Sequence, residues 1–372
     1  MSNKEKCCAR RKTSIGGQAL MEGIMMRGPE KNAMAVRRSN GEIFFEENLN
    51  QKKKRPRICR WPVIRGVFGF IDSMVIGYKA LMRSAEIAIE DEMADEEQKD
   101  APVTEAQNEA AEQGTPAQVQ APVAAEKDAK KQEKGGFSKG AMTAVVLIAT
   151  VLGFALAIGL FIWLPSFLYN LIAQYTPEEW GLADNRYLRS VFEGILKIAV
   201  LVVYMALVSL MKDIRRTFMY HGAEHKTIFC YEKGMPLTVE NVKNQSRFHP
   251  RCGTSFLILM LLVSIVIGML IPPTFEGINP TLYTVIRAAI KLLLIPLTMG
   301  IGYELLKFAG KHENIVTRII SAPGMWLQRI TVKEPTDDMI ECAVKAFVAV
   351  LPEEEKEAEI AAIASCEENT EA

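Results

Sequence analysis

Ala141 to Leu164 is a run of 24 residues without a charge. As a helix it would be about 36 Å long, enough to cross a hydrocarbon core about 30 Å thick. No other feature restricts the fold as much, because a chain carrying such a run must place it against lipid. Three further stretches follow the pattern less cleanly. Ser190 to Met211 carries Glu193 and Lys197, Thr254 to Ile271 is uncharged but short, and Val285 to Phe308 carries Arg287, Lys291, Glu304 and Lys307. The sequence therefore reads as an all-α membrane protein, with about four transmembrane helices within residues 140–310.

The first fourteen residues are basic and polar with no apolar segment behind them, so no secretory signal is expected. Orientation follows from the placement of Lys and Arg. The stretch between the second and third spans (212–253) holds Lys212, Arg215, Arg216, Lys226, Lys233, Lys243, Arg247 and Arg251. The stretch 165–189 holds two such residues and 272–284 none. This asymmetry predicts a multi-pass cell-membrane protein, with the lipid bilayer as its partner and both termini and the 212–253 loop in the cytoplasm. All seven cysteines fall on that side, where thiols stay reduced and ligand roles outrank disulfides. Lys plus Arg equals Asp plus Glu, 44 each, and no stretch suggests base reading, so nucleic acid is not an expected partner.

Residues 1–59 read as a small N-terminal cytoplasmic module. In it, Ala33–Arg38 and Glu42–Glu47 are strand-like and Ser39-Asn40-Gly41 is a hairpin turn. Residues 60–91 read as a helix on the membrane surface, or packed on the spans, with Arg65, Asp72 and Lys79 on one face; a re-entrant helix would look the same. Residues 92–139 form a tether: from Glu92 to Gly136 there is no aromatic residue, Leu or Ile, too little to bury for an ordered fold. Beyond the last span, residues 311–372 read as an amphipathic cytoplasmic tail. There Thr336 caps an apolar helix reaching Leu351, and Pro352 and the acidic end follow.

Three of the four histidines fall close together, in His221-Gly222-Ala223-Glu224-His225 and, 24 residues later, His249-Pro250-Arg251-Cys252. The first is an H-x-x-E-H pattern, the inverse of the usual zinc-protease order. On a helix His221 and His225 share one face and can grip one metal. Glu224 beside them is placed to act as general base on a water polarised by that metal. His249, Cys252 and Glu304, the last at the cytoplasmic end of the fourth span, are candidates to complete the ligand set, with Cys230 in reserve. Pairing with Lys307 or Lys311 is the competing role for Glu304, and a turn before the third span is that of His249 and Cys252. His312 reads as an interfacial surface residue. If all four of His221, His225, His249 and Cys252 ligate, the site is closed and structural; if three do, it is open and catalytic.

The chain resembles the YqhQ-like family of membrane proteins, which are described as predicted metal-dependent enzymes of unestablished function. Three blocks carry the likeness: Gly16-Gly17-Gln18-Ala19-Leu20-Met21-Glu22-Gly23-Ile24-Met25-Met26-Arg27-Gly28-Pro29, His221 to Lys226, and His249-Pro250-Arg251-Cys252-Gly253-Thr254-Ser255-Phe256. The resemblance implies a metal-dependent enzyme and covers nearly everything except the tether.

The leading expectation is a zinc-dependent hydrolase at the cytoplasmic membrane face. Zn2+ would be held by His221 and His225 with His249, Cys252 or Glu304, and Glu224 would be the base. The alternative is a membrane scaffold, chaperone or assembly factor with a structural zinc. A transporter, using Glu304 and the outer pairs Glu193–Lys197 and Arg287–Lys291, is a weaker third; those pairs read first as helix-surface pairs and snorkelling cations. Met21, Met25 and Met26 read as a helical packing stripe rather than copper ligands. Glu22 and Arg27 would reach the site only if their block docks there.

Overall fold

The structure is a computed structural model and describes residues 13–50, 56–99, 139–177, 179, 181, 185–272, 277–312 and 314–371. Cys7, Cys8 and positions 100–138 of the expected tether lie outside the described residues. Positions 92–99 do not belong to a tether but continue the preceding helix.

Strands β1 (Gly16–Leu20), β2 (Gly23–Arg27), β3 (Lys31–Arg37) and β4 (Ile43–Leu49) form an antiparallel meander in chain order. The β3–β4 hairpin is the expected one, with Gly41 at φ 85° in its turn. β1 and β2 replace the expected helical methionine stripe, and the reason is burial on both faces. Ile24, Met26, Ala33 and Ala35 point into one core, Met25, Met34 and Val36 into another. A strand covered on both sides shows an unbroken apolar run, so its period of two does not appear in the sequence.

The helices are α1 (Ile64–Lys99), α2 (Lys139–Ile158), α3 (Leu164–Gln174), α4 (Arg186–Val208), α5 (Lys212–Glu232) and α6 (Val239–Lys243). They continue with α7 (Gly253–Gly268), α8 (Pro280–Leu293), α9 (Ile295–Lys311), α10 (Ile315–Thr331), α11 (Asp337–Ala349) and α12 (Glu353–Glu371). α5 and α11 cover one face of the sheet, burying Tyr220, Ala223, Met339, Ile340 and Phe347. Ile87, Ile76 and Ala80 of α1 cover the other. α11 is thus a central core helix rather than part of a tail. The acidic end is no loose extension either: in α12, Glu355 accepts from the Tyr231 hydroxyl and Glu359 from the Leu237 N–H at 2.7 Å.

Among the described residues two helices are long and apolar enough to cross a membrane, Leu147–Gln174, which joins α2 to α3 through a π-turn, and Arg186–Val208. A third arises if α8 and α9, bent by 43° at Leu294, form one broken span. The bend falls where Pro296 cannot continue the helical hydrogen bonding. α7 has 16 residues, about 24 Å, short of a bilayer core. Two or three candidate spans thus replace the expected four. α1 packs along α9, with Tyr303 against Gly66 and Gly69, and its Phe70 also meets Phe256 of α7.

Candidate metal centre

α5 delivers both histidines. Their four-residue spacing puts the rings on one face, with centroids 4.5 Å apart. Cys252 arrives from another direction, as the N-cap of α7, its sulfur accepting from the Thr254 N–H at 3.4 Å. Ligand atoms of His221, His225 and Cys252 all lie within 4.8 Å of one another, and His221 Nε2 is 3.1 Å from Cys252 Sγ. Tetrahedral zinc with bonds of about 2.0–2.3 Å needs ligand atoms about 3.3–3.6 Å apart, so small shifts would suffice.

The other ring nitrogens decide the tautomers. His221 Nδ1 donates to the Thr331 carbonyl at 3.1 Å and His225 Nδ1 to the Arg247 carbonyl at 2.6 Å. Carbonyls only accept, so each Nδ1 carries the proton and each Nε2 keeps a lone pair for the shared space. Metal-binding histidines are oriented in this way. Burial also depresses the His225 pKa, favouring the neutral, ligating imidazole. The donor set therefore fits zinc.

Two close contacts set the frame. Lys333 donates its N–H to the Phe218 carbonyl at 2.9 Å, and its own carbonyl passes so close to Gly222 that no Cβ fits there. That crossing brings the Thr331 carbonyl to His221. Gln328 of α10 grips the backbone of His249 on both sides, accepting from its N–H at 2.9 Å and donating to its carbonyl at 2.7 Å. This holds the 249–252 turn, and Cys252 with it.

Glu224 is buried, and its Oε1 accepts the Gly17 N–H of β1 at 2.8 Å. A Cβ on Gly17 would lie 2.9 Å from that carboxyl carbon, so glycine permits the approach. Burial raises the Glu224 pKa above its ordinary value, against the opposing pulls of His221 and the Gly17 N–H.

The family described as a protein of unknown function (DUF1385) matches residues 61–353, a stretch containing all three converging side chains. The chain belongs to the DUF1385 family. The uncharacterized protein YqhQ of Bacillus subtilis (strain 168) is 32% identical over 344 residues, covering 91% of this chain and 92% of its own. No solved structure matches the chain.

Not every expected ligand joins the centre in this DUF1385 chain. His249 packs its ring near His225 and Phe229, but Nδ1 accepts the Arg251 N–H at 3.3 Å and Nε2 lies 3.9 Å from Glu232 Oε2. Glu304 is held by a bidentate ion pair with Arg65 of α1, and neither of its expected lysine partners is the one it takes. An arginine fork engages both oxygens, and Glu304 is not among the side chains that converge with His221 and His225. Cys230 lies in the core beneath the sheet, where burial pushes its thiol up to about 12. His312 is exposed at the end of α9, as expected of a surface residue. Glu22 forks onto Arg216 of α5, and Arg27 donates to Ser73 at 3.0 Å. The five described cysteines are free thiols. Gly17, Gln328, Glu232 and Thr331 are the contributors that sequence reasoning missed. Only Gly17 left a trace, as part of a family-like block: Thr331 acts through its carbonyl, and Gln328 and Glu232 meet His249 from 79 and 17 residues away.

Proposed function

We propose that this DUF1385 chain is a zinc-dependent hydrolase at the cytoplasmic face of a membrane. The convergence of His221, His225 and Cys252, with both Nδ1–H groups already committed to carbonyls, carries the reading. Two histidines and a cysteine leave a tetrahedral ion one position short, as in catalytic rather than closed zinc sites. Zinc bound there would supply Lewis acidity and make a water nucleophilic near neutral pH. Glu224 is the proton acceptor: burial raises its pKa above the ordinary value and so makes the carboxylate a stronger base. The Gly17 N–H holds one carboxylate oxygen and so orients the other. The bond attacked is a peptide, amide or ester, in a substrate reaching the interface from the bilayer or the cytoplasm.

The membrane setting is supported by the two or three candidate spans. The eight Lys and Arg residues of 212–253 support a cytoplasmic site. In a four-span arrangement α7 would be the short crossing.

Cobalt substitution tests the open position without a known substrate. The visible bands of the cobalt protein should shift when azide is added, while Cys252→Ser should weaken the sulfur-to-metal charge-transfer band. Bands indifferent to azide would mean a closed site and end the hydrolase reading. They would favour the second reading, a structural zinc in a membrane scaffold or assembly factor. One observation already speaks for it: the elements around the centre also brace the N-terminal segment, through Glu224 to Gly17 and through Glu232 and Arg251 to Thr13 at 3.2 and 3.0 Å.

A further inference from the structure

Far from the histidines, Arg189 and Lys197 of α4 and Arg287 and Lys291 of α8 crowd around a single carboxylate, Glu193. Arg189 Nε donates to Glu193 at 3.1 Å, Lys291 pairs with its other oxygen, and Arg287 Nη2 stands 3.8 Å away. Ser166 of α3 donates to it as well, at 3.0 Å. Among the described residues no other carboxylate ion-pairs with these four cations. Arg287 is 1% and Arg189 4% exposed, yet Arg287 Nε and Nη2 and Arg189 Nη2 make no hydrogen bond. Lys197 makes no hydrogen bond or ion pair within the described residues and feels only the more distant charges of Glu193 and Arg287.

The charge does not balance. Lysines can shed a proton, but arginine does not. Two guanidiniums against one carboxylate leave a positive excess even with both lysines neutral. Uncompensated charge inside a lipid-facing bundle is costly unless an anion or water answers it. Glu193, Lys197 and Lys291 border a cavity of about 380 Å³ whose remaining wall is mostly apolar, including Phe154, Phe161 and Ile265.

We propose that this cavity binds an anionic lipid, with its acidic headgroup against Lys197 and Lys291 and an acyl chain along the apolar wall. A small phosphate or carboxylate ion has the same headgroup chemistry but nothing to cover the wall, which favours the lipid. The inference rests on the membrane reading of α2 to α4 and α8, not on zinc.

The test uses the full chain in non-ionic detergent, titrated with phosphatidylglycerol, with phosphatidylcholine of the same chains, and with inorganic phosphate, and read by native mass spectrometry. Phosphatidylglycerol should bind selectively. Lys197→Gln, which removes no hydrogen bond, should weaken it at least about fivefold, while Lys212→Gln at the opposite end should not. Equal binding of the two lipids, or equal weakening by both substitutions, would overturn the proposal. Inorganic phosphate binding as tightly as phosphatidylglycerol would overturn the lipid in favour of a free anion. Release of the chain from membranes by alkaline carbonate would instead sink the membrane reading beneath it, a separate result.

Discussion

His221 and His225 each spend one ring nitrogen on a backbone carbonyl and turn the other toward Cys252. Replacing any of the three with Ala should therefore drop zinc in the purified protein from about one per chain to near zero, as elemental analysis would show. Glu304→Gln should leave the zinc content unchanged, because Glu304 serves Arg65 instead; zinc loss in that variant would restore it as a ligand. Glu224→Gln should retain both zinc and stability, since the amide oxygen can still accept from Gly17. Glu232 supplies a pH dependence. Burial pushes its carboxyl up, but the neighbouring His249 ring and Arg251 guanidinium, with the Thr13 N–H, outweigh it and hold the group at about 2 against an ordinary 4.5. A carboxylate depressed in the fold stabilises it above its unfolded value and loses that contribution as pH falls toward the folded one. The thermal midpoint in detergent should thus fall between about pH 5 and pH 2, and Glu232→Gln should flatten that part of the curve. At this scale much was legible: the spacing of His221, Glu224 and His225 is local, so a helix carries it directly into space. Whether Cys252, His249 or Glu304 joined them depended on turns and partners that the chain does not spell out.

Among the elements, β1 is held to α5 by a contact that only a glycine admits. Gly17→Val would thrust carbon into Met26 and the Glu224 carboxyl, with a cost of about 1–3 kcal/mol and an earlier thermal transition. An unchanged midpoint would mean that β1 does not dock there. The hairpin of β3 and β4 was readable because its turn is polar and β4 ends in the exposed Glu47, Asn48 and Leu49. β1 and β2 were not, because helices cover both sides of that part of the sheet. α11 and α12 show the same effect from the other end. An amphipathic pattern near the C-terminus says that a helix has an apolar face, but not that the face is the centre of a core. The α8–α9 bend was foreseeable, since Pro296 acts on its own helix and needs no partner to do so.

As a whole molecule the chain divides into a sheet-and-helix body around α5 and α11 and a set of apolar helices. The membrane reading expects it to remain in the pellet after alkaline carbonate washing. A C-terminal alkaline phosphatase fusion should be inactive and a fluorescent protein fusion bright, and the opposite pattern would invert the topology. The uncharged run in Ala141–Leu164 determined by itself that part of this chain is apolar enough to cross a membrane, because hydropathy is a sum over residues and needs no fold. The H-x-x-E-H spacing likewise determined a candidate metal pair, because four residues span one helical turn. Only the tertiary structure decided that Cys252 meets His221 and His225 and that Glu304 answers to Arg65. It also gathered Arg189, Lys197, Arg287 and Lys291 around one carboxylate. Each of those outcomes joins residues far apart along the chain, and which of many possible partners meet is settled by the packing of whole helices.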